Sequence, residues 1–348
     1  MGTGRLRKTR PRRHGFSATI VLREAKLTGV ILLQLGTPDE PTPAAVRRYL
    51  REFLSDRRVV DLNRAIWLPV LYGAVLTRRP AESAKLYRKV WTPEGSPLAV
   101  ISERQARGLS QRLSAIASCD VPVVVGMRYG NPSIAAALDR LSAAGVDRVL
   151  AFPMYPQYAG ATTGSSLEKL FEVAGKRRVV PSIRVVPPYF EDPGYIGALA
   201  QTATGLGAAG ESVLLLSFHG LPKRYAAEGD PYPEQCAATA KRLAEALGPE
   251  APAIRVVFQS RFGREEWLQP YLDVTLEQLG HERASVAVMA PGFTADCLET
   301  IEEIGIRGAE QFTEAGGAQF TRIACLNDQP VWLDAMAALA RRDLAGWL

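Results

Sequence analysis

Short runs of Val, Ile and Leu recur along the chain at Val30–Leu35, Val123–Met127, Arg148–Phe152, Ile183–Val186, Val213–Phe218, Ile254–Phe258, Ser285–Ala290 and Arg322–Leu326. They are too continuous for a half-exposed strand, which would alternate apolar and polar positions; they fit strands buried on both faces. The segments between them carry helical periodicity. Strands alternating with helices predict a parallel α/β fold. The spacing is irregular and the first helical insertion, 42–90, is long, so two similar Rossmann-like, doubly wound domains fit better than one barrel. Each would hold a four-stranded parallel sheet flanked by helices, with a cleft between the two. The expected first domain is 27–150 plus 327–348 and the second 151–326, with the crossover near 150. The last helix, 331–347, would return to cover the first domain.

Composition and charge change this picture mainly at one end. The 348 residues, 47% of them hydrophobic, suffice for about two cores. The net charge of +6 invites a nucleic-acid reading, but its location argues against one. Residues 1–26 hold Arg5, Arg7, Lys8, Arg10, Arg12, Arg13, Arg23 and Lys26 against Glu24 alone, a local +7 that leaves the body at −1. No nucleic-acid partner is expected. The tail itself reads as disordered. It lacks the apolar core of a secretory signal; it is Arg-rich and acid-poor like a transit peptide, yet poor in Ser. The longest apolar stretch elsewhere, Ala65–Leu76, is interrupted by Pro69 and falls short of the roughly 20 residues a membrane span needs. Cys119, Cys236, Cys297 and Cys325 form no C-x-x-C pair, which excludes a zinc ribbon or disulfide scaffold and fits a reducing, cytoplasmic setting.

In open α/β sheets ligands bind beyond the carboxyl ends of the strands. The residues there are Gly36–Asp39, Arg128–Pro132, Tyr155–Tyr158, His219–Pro222, Gln259–Gly263 and Pro291–Asp296. None carries a dinucleotide or P-loop glycine pattern. His219 at a strand end is placed to act as a base or a metal ligand, or else to cap its loop by hydrogen bonds. Asp296, Glu299 and Glu303 stand at i, i+3 and i+7, one face of a helix, and such a ladder of acids calls for a cation or proton. The same spacing can also be read as a capping box at Asp296 and Glu299. An imidazole and a carboxylate from different strand ends would suit a divalent first-row metal. In the first half, Arg78, Arg79, Tyr87, Trp91, Ser96, Arg128 and Tyr129 beside the apolar 65–76 stretch suit a flat hydrophobic ligand bearing carboxylates, or an ordinary amphipathic helix. Thr162–Ser166 reads either as a phosphate cradle or as a helix N-cap.

Taken in order, the segments Leu35-Gly-Thr-Pro38, Phe53-Leu-Ser-Asp56, Tyr155-Pro-Gln-Tyr158, Thr163-Gly-Ser-Ser166, Ser217-Phe-His-Gly-Leu-Pro222, Gly229-Asp-Pro-Tyr-Pro233, Gln259-Ser-Arg261 with Trp267, and Pro291-Gly-Phe through Asp296-Cys-Leu-Glu299 resemble the ferrochelatases. Those enzymes insert Fe²⁺ into protoporphyrin IX. The resemblance runs from about residue 29 to 345. It implies that His219 and Glu299 form the catalytic and metal site, with Asp296 and Glu303 on an acidic path that supplies metal or removes protons. It implies porphyrin contacts from Arg79, Tyr87, Ser96, Arg128 and Tyr129. It also implies that 65–76 is an apolar lip touching the membrane surface, with the protein cytoplasmic and otherwise soluble.

Three positions depart from the family pattern. Cys297 stands where many members have His. Gly160 stands where cluster-bearing members have Cys, and no Cys-rich extension follows the last helix, so no iron–sulfur cluster is expected. Leu35 replaces an aromatic residue or Met that some members direct at the metal. Fe²⁺ is then the substrate metal, protoporphyrin IX the partner, and a monomer the expected state. The alternatives are chelation of another tetrapyrrole or metal, such as coproporphyrin with iron or sirohydrochlorin with cobalt, and a non-catalytic haem or metal carrier. The acidic ladder argues against the carrier, which has no use for it.

Overall fold

The computed structural model describes residues 1–2, 27–204, 206, 212–249, 251–263 and 265–348. The basic tail expected to be disordered lies outside them. Eight parallel strands form two sheets: β1 (Leu27–Thr37), β2 (Val123–Gly130), β3 (Val146–Pro153) and β4 (Ser182–Val185) in the order β2-β1-β3-β4, and β5 (Val213–His219), β6 (Ala253–Gln259), β7 (Ser285–Met289) and β8 (Gln319–Arg322) in the order β6-β5-β7-β8. The helices are α1 (Pro43–Leu54), α2 (Arg64–Val70), α3 (Leu76–Val90), α4 (Pro97–Ala117), α5 (Ile134–Ala143), α6 (Ser165–Gly175), α7 (Pro193–Thr202), α8 (Lys223–Ala227), α9 (Tyr232–Leu247), α10 (Leu272–His281), α11 (Ala309–Glu314) and α12 (Pro330–Asp343). Three π-helical segments interrupt them: π1 (Leu71–Val75), π2 (Gly160–Gly164) and π3 (Glu299–Gly308).

Two-sided burial explains the continuous apolar runs. Along β1, Val30 and Leu32 enter a core that also takes Leu214 and Leu216 of β5, while Ile31 and Leu33 face the opposite layer with Ile134 and Leu138 of α5. Successive strand residues point to opposite faces, so both sets must be apolar. The joint core is closed by Trp332 and Met336 of α12 and Tyr195 of α7, all fully buried. Helix α12 packs on α7, α4 and β3.

Two boundaries differ from the sequence reading. Strand β4 pairs with β3, so the crossover follows residue 185 and runs through α7 instead of falling near 150. A four-residue edge strand with polar ends gives too weak an apolar signal to assign to a sheet. Strand β8 is Gln319–Arg322, whereas the apolar run Arg322–Leu326 is mostly irregular chain whose Ile323, Cys325 and Leu326 are buried. Burial, not strand pairing, made that run apolar.

Between β1 and β2, α1, α2, π1 and α3 build a separate lip. Tyr49, Leu50, Leu54, Leu71, Leu76 and Tyr87 form its core against Tyr129. Its outer side leaves Leu62, Ile66, Val70 and Tyr72 exposed, Ile66 at 67%.

Candidate functional site

In each sheet the order of connection reverses at the centre, between β1 and β3 and between β5 and β7, and such switch points leave a crevice beyond the strand ends. Both crevices open into one cavity of about 100 Å³. Gln34, Leu35, Gly36 and Thr37 reach it from β1, Met154 and Tyr155 from the end of β3, His219 from β5, and Gly292–Ala295 from the end of β7. Tyr49 of α1, Tyr87 of α3, Ser96 before and Leu98 within α4, Thr162 of π2, Tyr232 of α9, and Cys297, Leu298 and Glu299 around the start of π3 also line it, with Gln157. Gly36 has φ +111°, and a Cβ there would lie 1.7 Å from the Tyr129 carbonyl oxygen, so only glycine lets β1 run this close to β2.

His219 is the last residue of β5 and half-buried. Its Nδ1 lies 2.7 Å from the Gly220 carbonyl oxygen. A carbonyl can only accept, so Nδ1 carries the proton and Nε2 keeps its lone pair. Across the β5–β6 register His219 pairs with Gln259. The Gln259 amide accepts from Ser217 Oγ at 2.6 Å and donates to the Glu299 carbonyl at 3.2 Å, tying the β5 and β6 ends to π3.

Glu299 opens π3 in the cavity wall. Its charge acts on three neighbours: burial pushes Tyr49 and Tyr87 well above the usual phenol range, with Glu299 the next cause at Tyr87 and a lesser one, after Tyr87 itself, at Tyr49, and the Cys297 thiol is pushed up by burial and then by Glu299. These groups are neutral donors around a single carboxylate. Ser96 Oγ and Thr37 Oγ1, 2.8 Å apart, form a hydroxyl pair on the first-sheet wall, next to Tyr87.

The remaining sequence candidates lie elsewhere. Glu303 points from the next turn of π3 into a second cavity of about 250 Å³ with Gln259, Ser260, Arg261, Asp273 and Arg307; its carboxylate accepts from the Ser260 N–H at 2.9 Å and from the Ser260 hydroxyl. Asp296 is buried off the cavity. Its carboxylate accepts from Arg322 Nη1 (2.8 Å), Asn327 Nδ2 (2.9 Å) and Thr300 Oγ1 (2.8 Å). Burial alone would raise its pKa, but these donors outweigh burial and hold it below the usual carboxylate range. No helix N–H is capped by Asp296, so the capping-box alternative does not hold.

Arg128 and Tyr129 converge on Asp56. The Arg128 guanidinium pairs with the Asp56 carboxylate, the Tyr129 hydroxyl donates to it at 2.8 Å, Ser165 Oγ also donates, and Arg128 Nε donates to Ser165 Oγ at 2.6 Å. Tyr129 is fully buried, and Arg128 lines a different, polar groove. Arg79 is exposed at the mouth, its guanidinium 5.8 Å from the Phe262 ring centre. Within 162–166, Thr162 lines the cavity, but the helix start has no side-chain cap. The structure thus gathers His219, Glu299, Tyr87 and Ser96, and separates from them Glu303, Asp296, Arg79, Arg128 and Tyr129. Thr37, Tyr155 and Phe293 fall within strand-end segments that the sequence pointed to without assigning them roles; Tyr49 and Leu98, on helices, left no such signal.

The sequence matches the family model described as Ferrochelatase over residues 27–344. It is 50% identical over 329 residues to a ferrochelatase of Thioalkalivibrio sulfidiphilus, covering 92% of this chain and 88% of that protein. It is 47% identical to ferrochelatase 1 of Shewanella oneidensis (92% and 97% covered) and 47% identical to a ferrochelatase of Klebsiella pneumoniae (90% and 97%). Among solved structures, SirB of Bacillus subtilis with Fe³⁺ superimposes with a TM-score of 0.52 at 13% identity, covering 92% of this chain and 96% of that one. The sirohydrochlorin chelatase SirB of Bacillus subtilis subspecies spizizenii with cobalt gives 0.53 at 10% identity, with the same coverage. At such identities the structural likeness speaks for the fold.

Proposed function

The chain belongs to the ferrochelatase family, and from that membership and the cleft we propose that it inserts Fe²⁺ into protoporphyrin IX with loss of two pyrrole protons, giving protohaem. The observation that carries the reading is the convergence of both sheet switch points on one cavity in which the second sheet supplies an imidazole and a carboxylate and the first an apolar and hydroxyl wall. Leu35, Leu98, Met154, Phe293, Ala295 and Leu298 suit a ring with few carboxylates, which favours protoporphyrin over coproporphyrin or sirohydrochlorin.

In this mechanism the ring's apolar face and its propionates supply binding energy that bends the macrocycle and exposes its nitrogens and N–H groups. Tyr87 and the Ser96–Thr37 pair donate to propionates, with Arg79 at the mouth. His219 Nε2 accepts one pyrrole proton, its ring held by the Nδ1 bond to Gly220, and accepts the second once the first has passed outward by way of Glu299 and Glu303. Glu299 meets the ferrous ion as it sheds water, and Glu303, a turn outward, receives it from solvent or relays protons. Arg128 and Tyr129 support the floor of the cleft through Asp56 and make no direct contact with the ring, and Asp296 anchors π3. The protein works in the cytoplasm as a monomer, since one chain supplies every wall, and rests on the membrane surface through Leu62, Ile66, Val70 and Tyr72, with the +7 tail attracted to anionic lipid. Among the described residues no helix is long and apolar enough to cross a membrane.

The test is His219→Ala, assayed anaerobically with protoporphyrin and Fe²⁺ or Zn²⁺. Insertion should fall by about 10²–10⁴-fold while porphyrin binding, read by fluorescence quenching, persists. Near-normal turnover would remove His219 from the chemistry.

A further inference from the structure

The acids of π3 are not equally free. Glu302, with its side chain 3% exposed, is paired with Lys89 Nζ at 3.1 Å. One position on, Glu303 faces the outer cavity, bonded to Ser260. Arg307 reaches back to both, its Nε 3.8 Å from Glu302 and its Nη2 3.6 Å from Glu303. These are ion-pair separations, longer than hydrogen bonds, and the Arg307 side chain is 60% exposed. An exposed, loosely paired arginine is held by little energy and swings out at small cost. The other cation lining this cavity has closer partners: Arg261 pairs with Asp273 at 2.7 Å, within hydrogen-bond distance, and lies 4.0 Å over the Tyr271 ring. Gln259 borders both this cavity and Glu299, so the outer cavity is one side chain from the insertion site.

We propose that Arg307 is a guanidinium gate on metal capture. It occupies the cation position beside Glu303, and an incoming divalent metal must displace it before moving inward past Gln259 to Glu299. Arg307 sets how readily the metal is taken up and takes no part in proton removal or insertion. This rests on the reading of Glu303 as part of the metal route.

The experiment compares Arg307→Gln, Arg307→Lys, Glu303→Gln and the wild type in steady-state insertion of Zn²⁺ and, anaerobically, Fe²⁺ into protoporphyrin. Removing a positive charge this close to the route should lower the KM for metal about 5-fold at low salt, and the gap should narrow as ionic strength rises. The porphyrin KM and the kcat at saturating metal should stay within about 2-fold. Arg307→Lys, which keeps the charge, should stay near the wild type, and matching thermal melts would show that no variant owes its effect to unfolding. A metal KM unchanged in Arg307→Gln but raised in Glu303→Gln would overturn the gate and leave the route standing. A metal KM unchanged in Glu303→Gln would overturn the route, and the gate with it.

Discussion

Cys297 shows how far a single position can be read. From sequence it is a thiol where relatives of the family carry His; the structure buries it in the cleft wall, where burial and the neighbouring Glu299 charge keep it protonated. The thiolate is the reactive form, so Cys297 should be inert at neutral pH, as should Cys236 and Cys325, whose thiols burial also pushes up. Cys119 is the exposed one. Ellman's reagent should therefore titrate one thiol rapidly in the native protein and the rest only after unfolding; a second fast thiol would mean that the cleft opens far enough to expose Cys297. His219 was legible because a chemistry-bearing residue just past an apolar run announces a strand end; Glu299, ten residues beyond β7, was picked out by the spacing of the acids and by the family resemblance. The partner of Arg128 was not. Asp56 lies 72 residues away, and nothing local distinguishes an arginine that meets a ligand from one that balances a buried carboxylate.

At the scale of an element, π3 depends on a network outside it. Asp296 precedes the helix and binds Arg322 and Asn327, on β8 and just beyond it, so the start of π3 is pinned to the edge of the second sheet. Asp296→Asn should cost about 2–4 kcal/mol in urea unfolding at pH 7, because it removes a buried anion from three donors. The sign with pH follows from the direction of the shift. The folded pKa of Asp296 is depressed, so its contribution is complete above the unfolded value near 3.9 and is lost as pH falls through the lower folded value. The difference between wild type and variant should thus shrink below about pH 4; a constant difference would mean that the carboxylate charge is not what holds π3. The sequence placed Asp296, Glu299 and Glu303 on one α-helical face. The helix is instead π-type with i→i+5 bonding and begins at Glu299, which leaves Asp296 outside it and turns Glu303 toward Ser260. The spacing of acids assumes i→i+4 geometry and carries no information on whether a turn is α or π.

For the whole molecule, the two-sheet architecture was legible from its apolar runs, but the closure of the cleft was not, because closure is a property of contacts between distant segments. A cavity of about 100 Å³ is well below the roughly 300–1,000 Å³ of ordinary ligand pockets, so the structure is a closed state that must part to admit a tetrapyrrole. Two contacts join the lip to segments of the second half of the chain. Arg79 of the lip lies over Phe262, and Arg224 bridges Asp61 at the base of the lip (3.0 Å) to Glu265 of the loop after β6 (2.5 Å). The Arg224 ties are exposed, and exposed ion pairs contribute at most about 1 kcal/mol each, which suits a closure that must reopen every turnover. The opposite side is held more firmly: Trp332 of α12 is buried where the layers of both sheets meet. Opening should therefore be a movement of the lip against the segment around Phe262 and Glu265, with the sheets staying fixed. Arg224→Ala should speed porphyrin association up to about 5-fold in stopped-flow fluorescence, with a melting temperature within a few degrees of wild type. Trp332→Ala should instead cost about 3–5 kcal/mol of stability. If Arg224→Ala leaves the association rate unchanged, the Asp61–Arg224–Glu265 bridge does not limit opening.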